Sequence, residues 1–195
     1  MAKRIFIWAA HPKTGSLSEA IADAYQSGAI NEGAEVRRMN LSEMSFDMGN
    51  FTGYNSDMPK LETDLKEWQD NVSWADHIFI VHPCWWGAMP AKAKMVFDRA
   101  LSAGFAYKYH NKGVKWDKLL VGKTADAIIT SDTPPLIDTL IYGRTGRKVL
   151  KNQVLGFCGI KVKKILQLGS IKLATSEKLR KWLYDIEIMG QKAVS

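Results

Sequence analysis

The chain has 195 residues, 46% hydrophobic and 24% charged, which suits one globular domain over residues 1–195 with a sizeable core. Its formal charge of +7 is spread along the chain with no basic arm or reading module, so nucleic acid is not an expected partner and a solvated basic surface is the simpler account. No apolar run approaches the ~18 to 20 residues of a membrane span, the start MAKRIFIWAAHP lacks a signal-peptide cleavage pattern, and two cysteines without CxxC spacing suggest neither a zinc site nor a disulfide framework, so a cytoplasmic chain without a metal is expected.

The first apolar run, RIFIWAA at Arg4 to Ala10, predicts a strand. After the loop HPKTGS, Leu17, Ala20, Ile21, Ala24 and Tyr25 recur at helical spacing and predict a helix ending near Gly33. AEVRRMN at Ala34 to Asn40 reads as the second strand, Lys60 to Trp74 as a helix, and DHIFIVH at Asp76 to His82 as the third strand. The loop PCWWGAMP follows, then a helix carrying Ala93, Val96, Phe97, Ala100 and Leu101 on one face, with Pro90 near its first turn. TADAIIT at Thr124 to Thr130 is the fourth strand, followed by SDTPP and a helix over Leu136 to Phe157, broken by Gly143 and Gly146. The fifth strand is VKKILQL at Val162 to Leu168, and a last helix from about Ser176 is predicted to bury Leu179, Trp182, Leu183 and Ile186.

Strand–helix alternation with short connections implies a parallel sheet covered on both faces by right-handed crossovers. Five strands in a chain of this size suggest a flavodoxin-like three-layer α/β sandwich of strand order 2-1-3-4-5. In such a sheet a ligand sits outside the carboxyl ends of the strands, at the switch point flanked by strands 1 and 3. The loops HPKTGS, PCWWGAMP and SDTPP all fall at that edge.

In the first of these loops, Gly15, Ser16 and Ser18 stand where the chain enters a helix, so free N–H groups and small hydroxyls can hold a phosphate. Ser16 can equally be a simple N-cap. Neither GxxxxGK[ST] nor GxGxxG is present, which disfavours ATP hydrolysis and a Rossmann nicotinamide fold. Trp85 and Trp86 can wall a flat ring, or else pack against a helix or a second subunit. Backbone N–H groups around them and around Thr130, Ser131, Asp132 and Thr133 can meet the ring edge. A flat ring joined to a phosphate is a flavin in outline. FMN is favoured over FAD for a short chain without extra elements.

The motifs HPxxxSLS at His11 to Ser18, PxxWxxxPA at Pro83 to Ala91, the Asp98–Arg99 pair, GFAYKY at Gly104 to Tyr109 and FCGIK at Phe157 to Lys161 occur in order along the chain. In this combination the chain resembles the flavodoxin-like NAD(P)H:quinone oxidoreductase family, whose small bacterial members include the reductases that accompany glutathione-gated potassium efflux systems. The resemblance implies that His11, Ser16, Leu17 and Ser18 contact the flavin phosphate and ribityl chain, and that Pro83, Cys84, Trp86 and Gly87 line the ring. It also implies a homodimer in which Tyr107 and Tyr109 serve the neighbouring subunit's substrate pocket. Asp98 and Arg99 read as structural, each needing its own partner because adjacent helix positions do not share a face. Where many family members carry Thr-Thr-Gly-Gly after the fourth strand, this chain has Thr130 to Thr133 and then Pro134 and Pro135, which removes donors from the end of the loop. The family's pocket histidine is also missing, and Arg144 or Tyr142 is the candidate to take its place. The expected activity is hydride transfer from NAD(P)H through the flavin to a quinone or similar acceptor, by a ping-pong sequence. A flavodoxin-like electron carrier and a regulatory subunit on a membrane transporter are the alternatives, and the basic charge counts against the carrier.

Overall fold

The computed structural model describes residues 2–49, 53, 60–110 and 114–195. Its central sheet has five strands, β1 (Arg4–Ala9), β2 (Glu35–Asn40), β3 (His77–Pro83), β6 (Thr124–Thr130) and β7 (Lys161–Leu168), in the order β2-β1-β3-β6-β7. Every neighbouring pair is parallel. With β6 and β7 as its fourth and fifth strands, this is the expected 2-1-3-4-5 sheet. The three inner strands, β1, β3 and β6, read as nearly continuous apolar runs because both their faces are covered, whereas the edge strands β2 and β7 carry exposed charges. Along β1, Ile5, Ile7 and Ala9 face the cluster built with α1 (Leu17–Asn31) and α7 (Ser176–Val194). Phe6, Trp8 and Ala10 face the opposite cluster, built with α2 (Thr63–Trp74) and α3 (Ala91–Ala100). There Trp8 meets Trp68 and Phe97 edge-on, with centroids 5.4 and 5.1 Å away. Such aromatic pairs add about 0.5–1.5 kcal/mol beyond their buried area.

Helix α1 starts at the N-cap Ser16 and ends ahead of Gly33, whose φ of 83° stops the helix where the sequence predicts. Two glycines set its crossing with α7. A Cβ on Gly28 would lie 1.9 Å from the Glu187 carbonyl oxygen, and one on Gly190 would lie 2.2 Å from that of Tyr25, so each helix rests its backbone against the other. This crossing uses the second half of α7. Ile186, Met189, Gly190 and Ala193 are buried there, whereas Leu179, Trp182 and Leu183, expected in the core, lie in the first half of the helix and are only partly covered.

Two other regions differ from the sequence expectation. Residues Tyr107–Tyr109 (β4) and Trp116–Lys118 (β5) form an antiparallel hairpin too short to carry a readable alternation. Trp116 anchors it by stacking on Phe157 at 4.6 Å and donating its indole N–H to the Phe157 carbonyl. The predicted helix over Leu136 to Phe157 is four pieces: α4 (Pro135–Leu140), α5 (Thr145–Lys148), a π-helical turn Val149–Leu155 and α6 (Gly156–Cys158). Gly143 and Arg144 both have φ of 59°, and two successive left-handed residues cannot continue a right-handed helix.

The adjacent charges Asp98 and Arg99 have separate partners. Asp98 pairs with Lys94 one turn away, while the buried Arg99 guanidinium meets the Glu62 carboxylate at 2.6 Å and donates to the carbonyls of Asp47 and Lys60. Among the described residues, no helix is long and apolar enough to cross a membrane, and no group of three or more His, Cys, Asp or Glu is placed to hold a metal ion. Both cysteines are free thiols.

Candidate active site

Three loops meet at the carboxyl ends of β1, β3 and β6. The chain leaves β3 through a tight reversal in which Trp85 and Ala88 exchange backbone hydrogen bonds of 2.8 and 3.0 Å. The two residues between them, Trp86 and Gly87, have φ of 52° and 78°, the left-handed pair of a type I′ turn. For glycine this costs nothing. For a tryptophan it is strained, and the Trp86 side chain stands fully in solvent with no packing to offset that strain. The turn is tied to the next loop by the Cys84 N–H, which donates to the Thr130 carbonyl at 2.7 Å. Its other side touches the first loop, where the His11 ring meets Trp85 edge-on at 5.6 Å.

The first loop is organised by Glu19. Ser16 accepts from the Glu19 N–H at 3.3 Å, while the Glu19 carboxylate takes the Gly15 N–H at 2.6 Å and the Ser42 hydroxyl at 2.7 Å. Ser18, in the first turn of α1, is buried and its hydroxyl has no partner among the described residues. Leu17 packs with the α1/α7 cluster. The His11 Nδ1 accepts from the Lys13 N–H, and burial holds the imidazole below its ordinary pKa, so the neutral ring presents Nε2–H.

The loop after β6 turns on Ser131, whose N–H donates to the Leu168 carbonyl at 2.9 Å, and on Asp132, which pairs with Lys172 at 3.1 Å and is held below the usual carboxylate range by it. Pro134 and Pro135 then open α4 directly.

Between these loops and the segment 138–154 lies a cavity of about 610 Å³. Met89, Ile129, Val149 and Val154 give it an apolar body, and Trp86 and Tyr142 contribute to its wall. The approach of α5 makes it possible: a Cβ on Gly146 would stand 3.2 Å from the Gly87 carbonyl, so a glycine brings the segment against the Trp86 turn. Polar side chains also line it, among them Lys94, Thr133 and Thr145 and the more enclosed Asp138, Gln167 and His82. Asp138 is buried and paired with Arg147, and Gln167, with its amide nitrogen toward the carboxylate, donates to Asp138 at 3.0 and 3.2 Å and accepts from Ser131. The His82 Nδ1 bonds the Pro83 carbonyl at 2.9 Å, its Nε2 has no partner among the described residues, and burial draws its pKa down to about 4.

A family profile for the flavodoxin-like fold matches residues 3–184. An NAD(P)H oxidoreductase of Haemophilus influenzae, itself uncharacterized, is 30% identical over 187 residues, 94% of this chain and 90% of that protein. The chain belongs to the flavodoxin-like NAD(P)H oxidoreductase family. Two solved structures share the fold at lower identity. The NAD(P)H:quinone oxidoreductase from Methanothermobacter marburgensis superimposes with a TM-score of 0.80 at 20% identity, over 99% of this chain and 100% of the other. The FMN-dependent NADH-azoreductase from Bacillus anthracis, solved in complex with FMN, gives 0.73 at 19% identity over the full length of both.

Within this oxidoreductase family member, Pro83 to Gly87 and Thr130 to Thr133 come together, and Cys84, Trp86, Gly87 and Thr133 line the cavity itself. Burial pushes the Cys84 thiol up, so it is protonated at neutral pH. His11, Ser16, Leu17 and Ser18 sit beside this group through the His11–Trp85 contact but do not line the cavity. Tyr107 and Tyr109 lie on the β4–β5 hairpin, edge-on to each other at 5.2 Å, with Tyr107 packed on Phe157 and neither facing the cavity. Arg144 is exposed, and its place is fixed by its N–H donating to the Asp138 carbonyl; the neighbouring Tyr142 is the one that lines the cavity. Sequence reasoning missed His82, Asp138 and Gln167. Of these only His82 carried a signal, as a polar residue ending a strand at the ligand edge.

Proposed function

We propose that this chain is a flavin-dependent NAD(P)H oxidoreductase whose acceptor is a quinone or a similar electron-poor ring. The observation that carries the reading is the meeting, through the His11–Trp85 contact, of the loop that opens α1 with the strained Trp86 turn beside an apolar cavity. The first feature suits an anionic oxygen at a helix N-terminus, and the second suits a flat ring. The residues therefore fit a flavin, and FMN requires nothing beyond them. Ser18 and the His11 Nε2–H would meet its phosphate, because Glu19 already occupies the Gly15 N–H. Cys84, Gly87 and the loop from Thr130 to Thr133 would line the ring edge. When bound, the flavin supplies reversible hydride transfer, and one shared open face makes donor and acceptor take turns.

The chain's own contribution is orientation and exclusion of water. Trp86 covers one side of the site, and the apolar wall of Met89, Val149 and Val154 strengthens polar contacts made inside it. We propose a homodimer, because Leu136, Leu140, Ile141 and Tyr142 expose a run of apolar surface on and after α4. The tyrosines of the β4–β5 hairpin would then serve the partner's site, with Arg144 as a further catalytic candidate. Two free thiols suit the cytoplasm.

The test is a visible spectrum after incubation with FMN or FAD, desalting, and anaerobic addition of NADH or NADPH. Retained flavin bands that bleach support the reading, and rapid turnover with a quinone sets it apart from an electron carrier. If neither flavin is retained, the enzyme reading fails and a regulatory role on a transporter takes its place.

A further inference from the structure

The positive charge that reads as spread along the sequence is uneven when counted by region. Residues 144–195 hold 12 of the 27 Lys and Arg but three of the 20 Asp and Glu, which leaves the first 143 residues slightly acidic. The fold brings part of this excess to the ligand edge of the sheet. From the carboxyl end of β7 the chain passes through a short helical turn, Ile171–Leu173, into α7. That segment is fixed against the loop after β6. The Ile171 N–H donates to the Ser131 carbonyl at 3.2 Å, the Lys172 N–H donates to the Asp132 carboxylate at 3.1 Å, and a Cβ on Gly169 would stand 2.4 Å from the Thr133 carbonyl oxygen. Its tip is Leu173, apolar yet 83% exposed. Lys178, Arg180 and Lys181 stand exposed on the first two turns of α7, and Tyr184 follows, 63% exposed. Lys172 pairs with Asp132, whereas these three cations make no ion pair among the described residues. Glu177 is the one acidic residue from Lys161 to Tyr184. The Lys178 ammonium lies instead over the half-covered Trp182 ring, 4.9 Å from its centroid.

We propose that the segment from Ile171 to Tyr184 docks the protein on an anionic lipid surface, with Leu173 entering the headgroup layer and Lys178, Arg180 and Lys181 meeting the phosphates. Unpaired cations beside a protruding leucine and amphipathic aromatic rings are the composition of a surface that lies at headgroup level. An acidic protein surface would match the cations and leave Leu173 in water. Each cation close to such a membrane is worth about fivefold in partition, and the attraction fades within a Debye length. Because the segment adjoins the loop after β6, docking sets that edge of the candidate site against the bilayer, where a lipid-soluble acceptor resides. This last consequence rests on the oxidoreductase reading, but the docking itself does not.

The experiment is flotation of the purified protein with vesicles of phosphatidylcholine alone or mixed with phosphatidylglycerol, at low and high salt. Wild type should float with the mixed vesicles at low salt, be released by high salt, and ignore phosphatidylcholine. Lys178→Gln with Lys181→Gln should weaken partition about 25-fold, the worth of two cations. Lys161→Gln with Lys163→Gln removes the same charge from exposed positions at the amino end of β7 and should weaken it far less. Leu173→Ser, which alters no charge, should cost about tenfold. All five positions are exposed, so melting curves should show every variant folded. No partition onto the mixed vesicles would overturn the proposal. So would an equal loss in the two lysine pairs, which would make the attraction one of net charge alone. Leu173→Ser binding as wild type would also overturn it, because cations alone attract any polyanion, duplex DNA included. Failure to retain a flavin would refute the oxidoreductase reading and leave the flotation result standing.

Discussion

Replacing Gly190 by Ala should destabilise the protein although alanine is the better helix former. The new Cβ would stand 2.2 Å from the Tyr25 carbonyl oxygen, where ordinary contact begins near 3.4 Å, so α7 must retreat from α1 by roughly 1.2 Å. The obstructing atom is helix backbone and cannot rotate away. Overpacking of this kind costs about 1–3 kcal/mol, and the upper end applies when the obstacle is rigid. The gain in helix propensity is about 1 kcal/mol, leaving a net loss of about 2 kcal/mol. For a chain of this size that lowers Tm by about 4–8 °C, read by circular dichroism at the helix band and checked by urea unfolding. Gly28, whose Cβ would meet the Glu187 carbonyl at 1.9 Å, lies at the same crossing. The double variant should therefore lose less than the sum of the two singles, since helices already parted accept the second methyl more easily. Ser27→Ala, on the exposed side of α1, should change stability by only a few tenths of a kcal/mol. If Gly190→Ala melts at or above the wild-type temperature, as propensity alone would have it, the close-approach argument is wrong.

Trp86→Gly should raise Tm by a few degrees, since it relieves about 1–2 kcal/mol of left-handed strain and removes no packing from a side chain fully in solvent; the same change should raise KM for the acceptor, and a lower Tm would show that the turn is not strained. Ser18→Ala should weaken flavin retention about three- to tenfold on equilibrium dialysis with little change in melting, because its hydroxyl bonds nothing among the described residues; unaltered retention removes Ser18 from the phosphate site. The depressed pKa of His82 makes stability depend on pH. Between its ordinary value near 6.5 and about 4, the unfolded chain takes up a proton that the folded protein refuses, so stability present above 6.5 is lost as pH falls through that window. At about 1.4 kcal/mol per unit the loss is roughly 3 kcal/mol at most, and it levels off below pH 4. His82→Phe should lessen this slope in urea melts at stepped pH without removing it, since the buried His77, drawn down to about 3, acts through the same window; an unchanged slope would mean that the His82 imidazole protonates in place.

The sheet was legible in the sequence because parallel strands buried on both faces must be apolar throughout, and RIFIWAA, DHIFIVH and TADAIIT have no other use for such runs. Helix α1 was equally legible, since its period, its Ser16 cap and its Gly33 stop all act within a few residues of one another. Once the strand order followed, so did the gathering of the loops after β1, β3 and β6 at one edge. Those parts are determined locally, or by topology that leaves few alternatives. Only the tertiary structure decided the rest. The buried half of α7 depends on where Gly28 and Gly190 let two helices touch, and both faces of that helix offered apolar residues. The cavity exists because Gly146 approaches Gly87 across sixty residues of chain, after Gly143 and Arg144 turned a predicted helix aside. The enclosed, unmatched Nε2 of His82 is likewise a product of packing, because a partner missing among the described residues is a fact about every surrounding atom at once, which no spacing along the chain can encode.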